Sequence, residues 1–242
     1  MAKYELEKLL SGNPYPGRGI IIGASADGKS ALIAYFIMGR SVNSRNRVFE
    51  LFEGGMRTKA FDESKVVDPS LIIYNPYLSL PGVDIITNGD QTNTVYDRIK
   101  AYPGDTCAFS KALAAREFEP DAPNFTPRIS GIARYDFANK KFDYSLSILK
   151  SNGTPDVCNR FTFDYTPVPG AGHFIHTYKG DGSPLPSFEG EPEEVALPAT
   201  AGELAELIWK NLNADNKVSL YVRGVDLANE SAACEIVYNK NE

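Results

Sequence analysis

Two apolar runs, Gly19-Ile20-Ile21-Ile22-Gly23 and Ala31 to Met38, flank the octet Gly23-Ala24-Ser25-Ala26-Asp27-Gly28-Lys29-Ser30. How that octet folds decides the architecture of the chain. It satisfies the phosphate-loop pattern in full and follows an apolar strand, which raises a nucleoside triphosphatase using residues 23–30 as one reading. A working loop of that kind needs a helix from Ser30 onward, its N-terminus facing the phosphates. Ala31 to Met38 is short, carries Ile33, Tyr35, Phe36 and Ile37, and stops at Gly39, which reads as strand. The later apolar strand ending in a magnesium-binding Asp is also missing, since the candidates run Ile72-Ile73-Tyr74-Asn75 and Ile85-Ile86-Thr87-Asn88. Asp27-Gly28 is therefore assigned to a hairpin turn and Lys29-Ser30 to the start of the return strand.

The rest of the chain extends this pattern. Tyr4 to Leu10 reads as a short amphipathic helix ended by Ser11-Gly12-Asn13-Pro14. Strands are expected at Val48–Phe52, Leu71–Tyr74 and Val83–Thr87, then helices near Thr94–Ala101 and Thr106–Phe118. Ile129–Phe137 and Phe142–Leu149 flank Asn139-Lys140 as a second hairpin, and Phe161–Tyr165 and His173–Tyr178 add strand character. Gly180 to Pro198, rich in Pro, Gly and Glu, reads as a surface loop, either a lid or an exposed excursion. Thr200 and Glu203 form a capping box before a helical Leu204, Leu207, Ile208, Leu212 repeat, and Val218–Val222 and Cys234–Tyr238 close the chain as strands. Strands in runs, then paired helices, then strands again give an α+β order with mostly antiparallel sheets in a single domain, residues 1–242.

A formal net charge of −6 over 242 residues, without a basic stripe, argues against nucleic acid or a membrane surface as the main partner. Cys107, Cys158 and Cys234 show no paired spacing, so a reducing, cytoplasmic setting fits, and no apolar run reaches the roughly 18 residues of a membrane span. His173 and His176 lie three apart on strand-like sequence and so face opposite sides. No ligand set completes them, and no metal is expected.

Against this acidic background, Arg40-Ser41-Val42-Asn43-Ser44-Arg45-Asn46-Arg47 concentrates three guanidinium groups at the end of an apolar run. Arginine pairs bidentately with phosphate, and Ser and Asn add short donors, so the segment suits a phosphate monoester. Tyr74-Asn75, Thr87 to Thr92 and Thr126 to Gly131 likewise place polar groups where apolar runs begin or end, the usual position of strand-borne sites.

Gly17-Arg18, Gly39-Arg40-Ser41 through Arg47, Tyr74-Asn75, Thr87-Asn88-Gly89-Asp90-Gln91-Thr92 and Thr126-Pro127-Arg128-Ile129 occur in an order and spacing that resembles the archaeal-type IMP cyclohydrolase family, from Tyr15 to Tyr178. The resemblance implies a four-layer αββα sandwich, Ntn-hydrolase-like. It also implies closure of 5-formamidoimidazole-4-carboxamide ribotide to IMP with loss of water in purine biosynthesis. Three departures stand out: an N-terminal extension, residues 1–14; a longer arginine segment; and Asp90-Gln91 where Ser-His is commoner. A protein that keeps the fold and pocket but has altered chemistry is the alternative these departures raise. Met1-Ala2-Lys3 offers no Ser, Thr or Cys nucleophile, so amidase chemistry is not expected.

Motif position then assigns roles. Arg40 reaches the formyl oxygen or the phosphate. Arg45 and Arg47, with Ser44 or Asn46, clamp phosphate, and which of the two arginines carries the family role stays open. Tyr74 transfers a proton, and Glu119 acts as base or orienting group. Asn75, Asn88, Asp90 and Thr92 belong to the substrate-binding set, the last three on base or ribose, and Arg128 contacts phosphate or holds Glu119. The reaction asks for no metal or redox cofactor, the partner is a small nucleotide monophosphate, and a homo-oligomer is compatible with exposed sheet edges.

Overall fold

The computed structural model describes residues 3–66, 73–229 and 231–241. Its centre is the hairpin of β1 (Arg18–Ala24) and β2 (Ser30–Met38), antiparallel from Arg18 opposite Ile37 to Ala24 opposite Ala31. The turn is held by Ser25 Oγ donating to Asp27 Oδ1 at 2.7 Å, and by the amides of Lys29 and Ser30 donating to Asp27 Oδ1 and Ser25 Oγ. Gly28 sits at φ +70°, a backbone conformation that favours glycine. The octet is thus a hairpin turn with no helix behind it, and the strand reading of 31–38 holds.

Two antiparallel sheets follow. The first runs β11 (Glu193–Ala196), β10 (Ala171–His176), β1, β2, β12 (Lys217–Asp226) and β13 (Ala233–Asn239). The second runs in chain order through β3 (Arg47–Phe52), β4 (Gly55–Ala60), β5 (Tyr77–Leu80), β6 (Val83–Thr87), β7 (Arg128–Asp136), β8 (Lys141–Ser151) and β9 (Cys158–Tyr165).

The side-chain alternation of β2 shows why the sheets stack. Ile33, Tyr35 and Ile37 enter the core between the sheets with Ile20, Ile86, Ile129 and Leu146. Leu32, Ala34, Phe36 and Met38 point the other way, under α1 (Leu6–Gly12) and α5 (Ala201–Asn211), where they meet Leu6, Leu10, Leu204 and Ile208. On the far side, Ile85, Ile132 and Leu149 pack against Val95, Ile99, Phe109 and Leu113 of α3 (Gln91–Ala101) and α4 (Ala108–Ala114). A strand apolar on both faces has to be covered on both, and the result is a four-layer αββα sandwich. Each fully buried Leu or Ile contributes about 1.5–3 kcal/mol, so the three cores outweigh any single surface contact. The capping box of Thr200 and Glu203 opens α5 as expected.

Three expectations change. Leu71 and Ile72 lie outside the described residues, and Ile73 and Tyr74 are not in a strand; the pairing strand is β5, further on. β4 was not anticipated, although Met56, Thr58 and Ala60 are buried in alternation with exposed Arg57 and Lys59. Gly180 to Pro198 is no exposed excursion. Leu185 and Phe188 are buried, Phe188 N–H donates to Thr177 O at 3.0 Å, and Glu193–Ala196 joins the first sheet beside β10.

Candidate active site

At the end of the sandwich where β1 begins and β2 stops, a cavity of about 310 Å³ is lined by Arg18, Arg40, Ser44, Arg47, Glu119 and Tyr178, among others. The local sequence explains the convergence. β2 ends at Met38, and Gly39 lets the chain turn tightly, because a Cβ there would lie 2.7 Å from the Ser44 carbonyl group. Ser41 then caps α2 (Val42–Arg45), with Ser44 answering as the capping-box partner, and Arg47 opens β3 pointing inward.

The segment sorts its three arginines. Arg47 is fully buried; its Nε donates to Ser44 O at 2.8 Å and one Nη to Met38 O at 3.2 Å, while Nη1 is buried without a hydrogen-bond partner. Arg45 is exposed and tied to Gly39 O and Asn216 Oδ1, so it does not line the cavity. Asn46 is also turned away, its amide spanning Asp62 N–H and Asp62 O. Arg40 lies 5.0 Å from the Tyr15 ring centroid, pairs with Asp181 and donates to Gly182 O at 3.0 Å. The 180–198 segment therefore touches the cavity rim, and Leu185 N–H donates to Asn124 Oδ1 beside it.

Electrostatics at the cavity are dominated by burial. Burial works against the charge of Arg47, the neighbouring Arg18 adds repulsion, and together they hold its pKa below the usual guanidinium value. Burial also opposes the charge of Arg18, but the Glu119 carboxyl, with the phenols of Tyr178, Tyr74 and Tyr15, outweighs it and raises the pKa. Glu119 is pushed up by burial, which wins over the opposing pull of Arg18, Arg128 and Arg47. A carboxyl that holds its proton more tightly than an exposed one is suited to general-acid work.

Tyr74 stands behind this wall. Its hydroxyl meets that of Tyr35 at 2.8 Å, within electrostatic range of Arg18 and Arg47. Burial, and then Tyr74 itself, raises the pKa of the Tyr35 phenol, and either hydroxyl of the pair can donate to the other. Asn75 is partly buried and does not line the cavity.

The remaining expected residues form a second cluster. Asn88 is fully buried: its amide nitrogen donates to Pro127 O at 2.8 Å, and its oxygen accepts from Ile129 N–H and Gln91. Thr92 Oγ1 bonds Thr87 Oγ1 at 2.6 Å and Gly89 O at 2.9 Å. These bonds fasten the start of α3 to the end of β6 and the start of β7, and neither residue lines the cavity. Asp90 pairs with Arg116 at 2.5 Å and Arg128 at 2.8 Å, and Arg128 also donates to Gln91. Arg128 nevertheless acts electrostatically on Glu119, the only link between the two clusters among these pairs.

Sequence reasoning missed Arg18, Asp121, Thr126 and Tyr178 as site residues. Arg18 carried a readable signal, a lone charge opening an otherwise apolar strand. Tyr178 is seated by Gly17, at φ +79°, where a Cβ would lie 2.3 Å from Thr177 Oγ1 and 2.5 Å from the Tyr178 ring. His173 stacks on Tyr165 and bonds Tyr144 at 2.6 Å, and His176 faces Tyr178 O and Glu193, so neither lines this cavity. Among the described residues no group of His, Cys, Asp and Glu has metal-site geometry, and no helix is long and apolar enough to cross a membrane.

Fold and cavity together define a four-layer α+β sandwich with a basic, partly buried pocket at one end of its central hairpin. A model of the family described as IMP cyclohydrolase-like protein matches residues 15–230, and the chain belongs to that family. The IMP cyclohydrolase of Methanothrix thermoacetophila is 31% identical over 127 residues. That alignment covers 49% of this chain and 57% of the archaeal protein.

Proposed function

We propose that the protein closes 5-formamidoimidazole-4-carboxamide ribotide to IMP with release of water. One observation carries this reading: the buried Arg47 offers an unpartnered Nη1 to a cavity that also holds Arg18 and Arg40. A phosphate monoester supplies the missing acceptor and offsets the mutual repulsion of these cations. Ser41 and Ser44 line the same rim, their hydroxyls engaged with each other in the capping box of α2.

In the ring closure, the carboxamide nitrogen attacks the formyl carbon and loses one proton, while the formyl oxygen gains one. The formamide nitrogen then loses its proton, and the former formyl oxygen leaves as water with a second. Holding both substituents in one cavity replaces an encounter by a positioned reaction. Glu119, whose pKa burial raises, is assigned as the acid that protonates the departing oxygen, where motif position alone suggested a base or orienting group. Tyr74, hydrogen-bonded to Tyr35 and near the Arg18 and Arg47 guanidinium groups, is assigned to donate to the developing oxyanion, and Arg40 to the same oxygen or the phosphate. Arg128 is assigned to tune Glu119, and Asn88 and Thr92 to hold the scaffold.

The test is turnover. Purified protein mixed with the formylated ribotide is followed for IMP by chromatography. Formation of IMP at catalytic rates supports the reading. Binding of IMP without turnover favours the chemically altered alternative, and neither binding nor turnover ends both.

A further inference from the structure

Behind one wall of the cavity runs a chain of hydroxyl groups that the roles above leave unused. Tyr178 Oη lies 2.5 Å from Thr126 Oγ1, and Thr126 Oγ1 lies 2.5 Å from Asp121 Oδ2. Thr126 N–H also donates to Asp121 Oδ1 at 2.6 Å, so both carboxylate oxygens accept from one residue. The Thr126 hydroxyl donates to Asp121 Oδ2 and has a single hydrogen to give. Its oxygen then accepts from the Tyr178 hydroxyl, which fixes the direction of the whole chain. Tyr178 and Thr126 are buried, whereas Asp121 is partly exposed, so the relay runs from a buried hydroxyl to a more accessible carboxylate along the cavity lining.

We propose that Tyr178 is the catalytic base of the ring closure, with Thr126 and Asp121 as the positioning residues that take its proton onward; this rests on the cyclohydrolase reading. As the carboxamide nitrogen bonds to the formyl carbon, its N–H proton passes to Tyr178 Oη. The phenol proton moves to Thr126 Oγ1, and the threonine proton to Asp121 Oδ2. Three O–H or N–H bonds break and three O–H bonds form, no net charge builds on the tyrosine, and Asp121 ends neutral. It returns its proton to water before the next cycle. Burial pushes the Tyr178 phenol up to about 12, against the pull of Arg18 and of Thr126, so the residue passes a proton on and does not store the charge. Glu119 and Asp121 then divide the work: one carboxyl gives a proton to the oxygen, the other receives one from the nitrogen.

Thr126→Val and Thr126→Ser separate a relay from a structural hydroxyl. The valine variant keeps the shape and breaks the chain; the serine variant keeps the chain. With the formylated ribotide, Thr126→Val is expected to lower kcat about a hundredfold with KM nearly unchanged, and Thr126→Ser to retain most of it. A proton inventory in mixed water and heavy water should be bowed for the wild type, from several protons in flight, and straight for the valine variant. Thermal melting confirms that each variant is folded, and if Thr126→Val fails to fold, Asp121→Asn, expected to lose as much kcat with an equally straight inventory, replaces it. A folded Thr126→Val or Asp121→Asn enzyme with turnover within threefold of wild type, or with the wild-type inventory, overturns the relay alone. A wild type that makes no IMP removes the cyclohydrolase reading and the relay with it.

Discussion

The hydroxyls of Tyr35 and Tyr74 meet at 2.8 Å in the interior, joining the central strand β2 to the segment that precedes β5. Tyr35 is fully buried, and its contact with Tyr74 holds the Tyr74 phenol in place. Tyr74→Phe is expected to lower kcat about a hundredfold while the fold persists, and Tyr35→Phe by less, about tenfold. Steady-state kinetics beside far-ultraviolet circular dichroism checks both. Unchanged turnover in a folded Tyr74→Phe protein removes its assigned role.

The pKa of Glu119 is raised by burial, with Arg18, Arg128 and Arg47 opposing and Asp121 adding to the rise. An acid of this kind is competent below its pKa and lost above it, so kcat should fall on the alkaline side at a pH above the ordinary carboxylate range. Glu119→Gln should remove that limb and lower turnover about a hundredfold. The same shift acts on stability. The folded protein holds this proton more tightly than the unfolded chain, so the contribution is present at low pH and is lost as pH rises through the raised value. Denaturant titrations across pH should show a shallower alkaline decline for Glu119→Gln.

Lys29, the lysine of the phosphate-loop pattern, is exposed and faces Asp27 at 3.6 Å across the β1–β2 turn. Lys29→Ala is expected to leave turnover unchanged and to alter stability by no more than about 0.5 kcal/mol. Assay of IMP formation and of magnesium-dependent ATP or GTP hydrolysis, each with wild type and variant, checks this. Triphosphatase activity abolished by the substitution would restore the reading set aside here.

In the other half of the inter-sheet core, Asp84 accepts from Tyr77 Oη at 2.6 Å, Tyr135 Oη at 2.8 Å and Arg223 Nε at 2.9 Å. Arg223 belongs to β12 and Asp84 to β6, so this ion pair ties one sheet to the other. Asp84→Ala removes the acceptor shared by Tyr77, Tyr135 and Arg223, leaving the partly buried Arg223 with Glu235 alone, and is expected to cost about 1–3 kcal/mol, read as a lower denaturation midpoint. Its distance from the cavity end predicts unchanged kinetics in the surviving folded fraction.

The α+β order with mostly antiparallel sheets was legible from strands in runs around paired helices, whereas the four layers were only implied by the family resemblance; in the structure they follow from β1 and β2 being apolar on both faces. The short strands were not legible. β11 hides in Pro- and Glu-rich sequence, and β5 follows a segment whose apolar run resembles a strand better than it does. Within the site, the Arg40-to-Arg47 cluster announced itself by charge, but sequence spacing does not say which guanidinium turns inward. The backbone settles that through Ser44 O and Met38 O, which fasten Arg47, and Gly39 O, which draws Arg45 out. Asn88 and Thr92 could not be sorted from sequence, because a polar side chain at a strand end serves a ligand and a helix start equally well. Thr126 and Tyr178 are far apart in sequence and meet only across the two sheets, a relation no local pattern carries.

The central claim is that the Arg18, Arg40 and Arg47 cavity grips the phosphate of a nucleotide monophosphate. Calorimetric titration of the wild type and of Arg47→Met with IMP and with inosine tests it most directly. The account predicts that IMP binds the wild type about a hundredfold more tightly than inosine does, and that Arg47→Met, verified as folded, loses most of that difference. Equal affinities for IMP and inosine in the wild type would contradict it.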